Sequence, residues 1–275
     1  MDAIDKKIIL ALFKDGRISQ RKIAEEVGLS ATSLNYRFNK LLEEKIIKSF
    51  SLYINPNFYG KYVGRASFRN VKDIDESFIN VKVKCLEETN FYEFEGSSIE
   101  DLKDKLSYMS KILGEPKMVY IPDQKPQKPS GVDIEIVKAL IKNPRMDIGE
   151  ISKEINVPSK SILRRLNALV SKNYIRIIPI VDLGKSDIVV FGIYSQTISK
   201  LEFLRMCEFL RFVDHDRGII VCATNDIKEA ENYVKEVRQI DPSSQVMITT
   251  EYEIRNENAE KELERIENEA INRTS

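Results

Sequence analysis

The chain has 275 residues, more than the roughly 100 to 200 of a usual single domain, so two or more separate cores are expected. Lysine plus arginine equals aspartate plus glutamate at 43 each, which leaves no bulk cationic field and requires any phosphate binding to come from local patches. No apolar run approaches the roughly 20 residues needed to span a bilayer, and the amino terminus lacks a cationic-then-apolar signal, so a cytoplasmic protein without a membrane partner is expected.

Ile4, Ile8 and Leu12 recur at helical spacing, Asp2 is placed to cap that helix, and Gly16 ends it. Ser19 is placed to cap a second, short helix with Ile23 and Val27 inward and Ala24 small enough for a close crossing. Gly28-Leu29-Ser30 reads as a turn. A third helix from near Ala31 then puts Leu34, Phe38 and Leu41 on one stripe and leaves Thr32, Ser33, Asn35, Tyr36, Arg37 and Lys40 on or beside the opposite face. Hydroxyls, an amide and a guanidinium hydrogen-bond phosphates and base edges, so these are the candidate DNA-binding residues of a first helix-turn-helix head. Phe50 to Ile54 alternate as a short strand, the expected wing, and close a first unit over residues 1–56.

Over 57–122, Tyr62 to Phe68 and Phe91 to Phe94 read as strands, Ile99, Leu102, Leu106 and Met109 as a helix face, and Met118 to Ile121 as a closing strand. Phe78, Val81 and Cys85 suit a helix, although Val81-Lys82-Val83 also alternates like a strand. With almost no room for a third strand before the helix, this α/β unit reads as degenerate and short by one strand. Residues 123–131 have the proline spacing and polarity of an extended linker.

About 128 residues after the pattern that opens at Asp5, it opens again at Asp133: Ile136 stands for Ile8, Leu140 for Leu12, Arg145 for Arg17, Ile151 for Ile23, Arg165 for Arg37 and Leu169 for Leu41. A match kept in phase without a gap signals internal duplication. Asp147 takes the capping place of Ser19, and Asn156-Val157-Pro158 replaces the glycine turn, because asparagine tolerates a left-handed backbone. Ser159 is expected to cap the third helix, where Ser159, Lys160, Ser161, Arg164 and Arg165 are the candidate DNA-binding residues of a second winged head over 132–183. Leu163-Arg164 stand where the first head has Asn35-Tyr36, so dissimilar half-sites are expected.

Over 184–254, Ile188 to Tyr194 reads as a strand and Phe203, Cys207 and Leu210 as a helix face. Phe212-Val213 and Ile219 to Ala223 flank a turn at His215-Asp216-Arg217-Gly218, Asp226 is placed to cap a helix carrying Ala230, Val234, Val237 and Ile240, and Gln245 to Tyr252 supplies the last strand. Residues 255–275 are dense in charge, with Leu263, Ile266 and Ala270 as a narrow stripe, and read as a docking helix or tail. Cys85, Cys207 and Cys222 are far apart, odd in number and accompanied by one histidine, which argues against a disulfide framework or a Cys/His zinc site and makes all three buried small hydrophobes.

Ile4-Asp5-Lys6-Lys7-Ile8-Ile9, Gly16-Arg17-Ile18-Ser19, and Val27-Gly28-Leu29-Ser30 leading through Arg37 and Leu41 to Glu43-Glu44-Lys45-Ile46-Ile47 resemble the Lrp/AsnC family of prokaryotic transcriptional regulators. The resemblance implies an α+β fold in which each winged helix-turn-helix head is followed by a ferredoxin-like βαββαβ (RAM-type) domain that drives oligomerisation and often binds amino acids. A family member normally has one head; this chain has two, the first with the degenerate domain. Ligand sites of the family often use a glycine-to-aspartate motif in the β2–β3 turn. Neither Gly96-Ser97-Ser98-Ile99 nor His215-Asp216-Arg217-Gly218 keeps it, so a small-molecule effector lacks support.

The expected function is a sequence-specific transcriptional regulator that binds double-stranded DNA through two unequal heads, with no cofactor and no metal. Its RAM-like domains would form a homodimer or an intramolecular pseudo-dimer. Two other readings stand beside it. Siroheme decarboxylases also resemble Lrp/AsnC proteins, and their chemistry relies on histidine and cationic residues around a tetrapyrrole, whereas this chain has the single His215. An architectural or adaptor protein is the third, disfavoured as an electrostatic coat by the zero net charge. No Ser/His/Asp constellation, P-loop or His-Glu-x-x-His motif occurs, so an enzyme is not expected.

Overall fold

A computed structural model describes residues 1–274. Helix α1 (Ala3–Lys14) starts where the Asp2 carboxylate accepts the Ile4 and Asp5 amides, each at 2.9 Å. Helix α2 (Gln20–Val27) is capped by Ser19, and Gly28 ends it with φ of 72°, the left-handed conformation that a residue without Cβ enters freely. Helix α3 (Ala31–Glu43) is capped by Ser30. Ile8, Leu12, Ile23, Leu34, Phe38 and Leu41 bury into a common core, as their spacing requires. Strand β1 (Ile47–Ile54) follows.

After a tight turn over Pro56–Tyr59 come β2 (Tyr62–Arg69), β3 (Ile79–Cys85), β4 (Thr89–Gly96), α4 (Ile99–Leu113) and β5 (Pro116–Tyr120). The strand alternation of Val81-Lys82-Val83 prevails over the helical alternative. The unit therefore has four strands, not three, and what is missing is a helix between β2 and β3. Asn70 and Asp73 hold that connection with side-chain bonds to the Lys72 and Ile74 amides, which offer the backbone a non-helical alternative.

The second head repeats the first with α5 (Gly131–Lys142), α6 (Ile148–Ile155), α7 (Ser159–Ser171) and β6 (Ile175–Val181). Asp147 caps α6 reciprocally with Glu150, and Asn156 takes φ of 53°, doing what Gly28 does in the first head. Ser159 does not cap α7. Pro158 occupies the cap position, and Ser159 is the first helical residue.

The rest comprises α8 (Leu183–Ser186), β7 (Val189–Ser195), two 3₁₀ turns (Ile198–Lys200 and Glu202–Met206), β8 (Glu208–Asp214), β9 (Arg217–Thr224), α9 (Ile227–Ile240), β10 (Gln245–Ile254) and α10 (Glu257–Thr274). The helix expected around Phe203, Cys207 and Leu210 is replaced by the second 3₁₀ turn and the start of β8. Leu210 is needed opposite Val221 in the β8–β9 ladder, and Cys207 is joined to Cys222 by a disulfide. That pairing corrects the expectation of three free thiols, because the hairpin sets Glu208 opposite Cys222 and so brings the two cysteines together. Cys85 remains a buried thiol, pushed up to about 12 by burial.

Strands β2 to β5 and β7 to β10 form one sheet in the order β5-β2-β4-β3-β10-β7-β9-β8, so each half keeps the ferredoxin-like strand order. The antiparallel β3–β10 ladder, with Val83 opposite Tyr252, joins the halves. The outer edges, β5 and β8, meet through the loop after β5. There the Asp123 amide donates to Asp214 at 2.8 Å and Arg217 donates to the Ile121 carbonyl at 3.1 Å. Between the two halves lies an apolar cluster of Cys85, Met118, Tyr120, Ile219 and Met247. Ala259, Leu263 and Ile266 of α10 bury into the core of the second head, which makes this segment a docking helix; Ser275, the end of the expected segment, lies outside the described residues. Strand β1 does not pair as a wing inside its own head but runs antiparallel to β6 of the other.

Candidate nucleic-acid interface

With Leu34, Phe38 and Leu41 committed to the core, α3 exposes Thr32, Ser33, Asn35, Tyr36 and Lys40, and Tyr36 is 70% exposed. Ser33 accepts the Ser30 hydroxyl at 2.9 Å, and Lys40 lies 3.7 Å from Glu44. Arg37 has a different engagement. Its Nη1 sits 2.6 Å from Asp2 and 2.8 Å from Asp5, and these hydrogen bonds raise its already high pKa. The guanidinium thus ties α3 to the start of α1 and is only partly presented to solvent.

Helix α7 buries Ile162, Leu166 and Leu169 and exposes Ser159, Lys160, Leu163, Arg164 and Asn167, with Ser161 half-buried. Arg165 repeats the engagement of Arg37: Nη1 lies 3.0 Å from Asp133 and donates to the Ser130 hydroxyl at 3.1 Å. The structure therefore groups the remaining candidates on two outward faces and holds Arg37 and Arg165 at their inner margins. Asn39 and Asn167 are exposed on these same faces, as is Leu163. Sequence reasoning places Leu163 outward but selects neither asparagine, although each lies four residues beyond an outward position, Asn35 or Leu163, and so shares its face.

The two heads are clasped. Arg17 donates through Nη1 to the Pro144 carbonyl at 3.1 Å and through Nη2 to that of Met146 at 2.6 Å, while Arg145 donates through Nη2 to the carbonyl of Ile18 at 3.0 Å. Met146 stands in the second head where Ile18 stands in the first, so the exchange is reciprocal. Burial lowers the pKa of both guanidinia. The Arg145 guanidinium also lies 4.8 Å from the Phe50 ring centroid and 5.6 Å from that of Phe38, within cation–π range. Arg176 adds a bond to the Lys14 carbonyl at 2.9 Å. The β1–β6 ladder pairs Phe50 with Pro179, Ser51 with Ile178 and Leu52 with Ile177, which places an approximate two-fold axis between the heads at Phe50-Ser51 and Ile178-Pro179. Sequence comparison had matched Arg17 to Arg145 without giving either a role.

Away from the heads, a surface pocket of about 440 Å³ is lined by Asp75, Glu76, Asn80, Glu253, Arg255 and Lys261, and a second polar group is buried. Arg65 and Glu93, both almost fully buried, pair at 2.7 Å, and the Tyr53 hydroxyl donates to Glu93 at 3.0 Å. They line a cavity of about 90 Å³ with Phe13, Val83, Phe212 and Val221. His215 lies on the β8–β9 turn with its side chain 84% exposed and its Nδ1 2.6 Å from Asp214. Among the described residues, no cluster of three or more His, Cys, Asp or Glu is arranged to hold a metal ion.

The family model described as winged helix-turn-helix DNA-binding matches the chain twice, over residues 1–48 and 130–176. The HTH-type transcriptional regulator FL11 of Pyrococcus furiosus is 40% identical over 60 residues, which cover 22% of this chain and 40% of that protein. The chain thus spans well under two thirds of that relative's length. The leucine-responsive regulatory protein of Escherichia coli is 32% identical over 123 residues, covering 42% of this chain and 74% of that protein. Among solved structures, the siroheme decarboxylase NirDL aligns with 97% of this chain and 99% of its own at 13% identity, with a TM-score of 0.43. With the leucine-responsive regulatory protein matched over most of its length and the helix-turn-helix pattern found at both heads, the chain belongs to the Lrp/AsnC family.

Proposed function

We propose that this protein is a sequence-specific DNA-binding transcriptional regulator whose two unequal heads act from one chain. The observation that carries this reading is the reciprocal Arg17 and Arg145 clasp beside the β1–β6 ladder, which fixes two helix-turn-helix heads about an approximate two-fold axis. A two-fold relation between two recognition helices is what DNA half-sites one helical turn of roughly 34 Å apart, or a multiple of it, require. The names of two relatives, an HTH-type transcriptional regulator and a leucine-responsive regulatory protein, support the same reading.

In this reading residues 1–56 and 132–183 are the heads, 57–122 and 184–254 the two α/β domains, 123–131 the linker, and 255–275 the segment whose helix α10 (Glu257–Thr274) braces the second head. The α/β domains form a pseudo-dimer within the chain, and the protein works in the cytoplasm without catalysis. The exposed, turn-borne His215 counts against tetrapyrrole chemistry. Thr32, Ser33, Asn35, Tyr36 and Lys40 of α3, and Ser159, Lys160, Ser161 and Arg164 of α7, contact DNA. Arg37 and Arg165 orient the helices and meet phosphate only at their exposed margins.

Linkage contributes to affinity, because one bound head holds the other at high effective concentration near its half-site. Each phosphate neutralised releases counterions and steepens the salt dependence. The test is selection from a random-sequence duplex pool, followed by footprinting and titration at several salt concentrations. The expected result is a two-part footprint with unequal halves, weakened by Lys160→Ala with Arg164→Ala, which also flatten the salt slope. Selection of no preferred duplex, or indifference to that double substitution, would overturn the reading.

A further inference from the structure

We infer that Leu163 reads the 5-methyl group of a thymine, so that the second head demands a thymine at a position where the first head makes no equivalent contact. This rests on the reading of α7 as a DNA-reading helix. Leu163 is 48% exposed on the face opposite Ile162, Leu166 and Leu169, and it lines a shallow surface depression with Pro158, Lys160, Ser161, Arg164 and Asn167. Its apolar side chain thus shares this depression with the cations Lys160 and Arg164, on a face where the lining residues are exposed or half-buried. Such a surround suits the polyanionic edge of a duplex, where Lys160 and Arg164 meet phosphates or guanine while the leucine between them meets the one apolar group a major groove offers.

The counterpart position in α3 is Asn35, and the counterpart of Arg164 is Tyr36. Asparagine suits the paired donor and acceptor of adenine, whereas leucine can make no such bond and discriminates only by excluding water from a methyl group. One component of the difference between the half-sites is therefore located at the Asn35/Leu163 position and has a stated chemistry on each side.

Single replacement of each thymine by deoxyuridine in the selected duplex removes one methyl group and leaves every hydrogen-bonding edge intact. Burial of one methyl-sized group corresponds to about four-fold in affinity. We expect one thymine, within one half-site only, whose replacement weakens the unmodified chain about four-fold and leaves binding by the Leu163→Ala and Leu163→Asn chains unchanged. If every thymine is replaceable without effect, or if the loss persists in Leu163→Ala, the inference falls while the DNA-binding reading stands. If no duplex is selected at all, both fall. A Leu163→Ala chain that binds DNA normally but changes its mass in solution would assign the side chain to a protein contact and also overturn the inference. Leu163 lies outside the core, so circular dichroism of both variants is expected to match the unmodified chain.

Discussion

Arg17 and Arg145 each place a guanidinium against the main chain of the opposite head, Arg17 on Met146 and Arg145 on Ile18. Hydrogen bonds from a charged donor contribute about 1.5–3 kcal/mol. Arg17→Ala is therefore expected to lower stability by an amount in that range, measured by urea denaturation, and to loosen the junction. In binding assays it should weaken the full two-part site while leaving affinity for an isolated half-site duplex unchanged. Equal losses on full and half sites would place Arg17 on the DNA and not in the junction.

The Arg65–Glu93 pair is sealed between the two halves of the sheet, with Arg65 stacked 3.9 Å from the Phe212 ring centroid. Burial pushes the Glu93 carboxyl upward against the pull of Arg65. Removing one member of such a pair leaves an uncompensated buried charge and costs about 3–5 kcal/mol. Glu93→Leu alone should show that loss in thermal or chemical unfolding, and adding Arg65→Met should recover most of it. A double variant no more stable than Glu93→Leu would mean that the pair is irreplaceable for packing.

Acid should loosen the first head before the second. The Asp5 amide and then Arg37 hold the Asp2 carboxyl below its usual range. A depressed carboxyl contributes stability that is present above its ordinary value and lost as pH falls through the lower, folded value. The matching cap in the second head is Ser130, which accepts from Asp133 through a hydroxyl that does not protonate there. Below the ordinary carboxylate range, amide exchange in the first turn of α1 should therefore accelerate relative to that of α5 at the same pH. Parallel fraying of both helices would contradict this.

The heads were legible in the sequence because their determinants are local: caps at Asp2, Ser19 and Asp147, apolar residues three and four apart, and a left-handed turn at Gly28 or Asn156. What was not legible depends on distant partners. Val81-Lys82-Val83 satisfies two periods, and its pairing with Tyr252 and its neighbours in β10 accompanies the strand outcome. The Cys207–Cys222 link follows from hairpin register, and the role of Arg17 from the approach of a segment in the other head. Helical spacing marks Arg37 as groove-facing because it reports only an angle about the axis, and that angle gives no sign of the two carboxylates, Asp2 and Asp5, at the start of α1 beside it.

Gly16 of the first head packs closely against Ile177 of the second. A Cβ there would lie 2.4 Å from the Ile177 carbonyl oxygen and 2.6 Å from the Ile177 Cγ2, so β6 would have to move. Overpacking of this kind costs about 1–3 kcal/mol, and because the obstructing atom is backbone in the β1–β6 ladder, relief must come from separating the heads. Gly16→Ala should therefore destabilise the chain and weaken binding to the two-part site. Gly131 at the start of α5 provides the contrast, since nothing lies within 4 Å of its added Cβ. Gly131→Ala is expected to raise stability by about 0.4–1 kcal/mol through reduced freedom of the unfolded chain. If both alanines raise the urea midpoint alike, the close approach of Gly16 to Ile177 does not set the spacing of the heads.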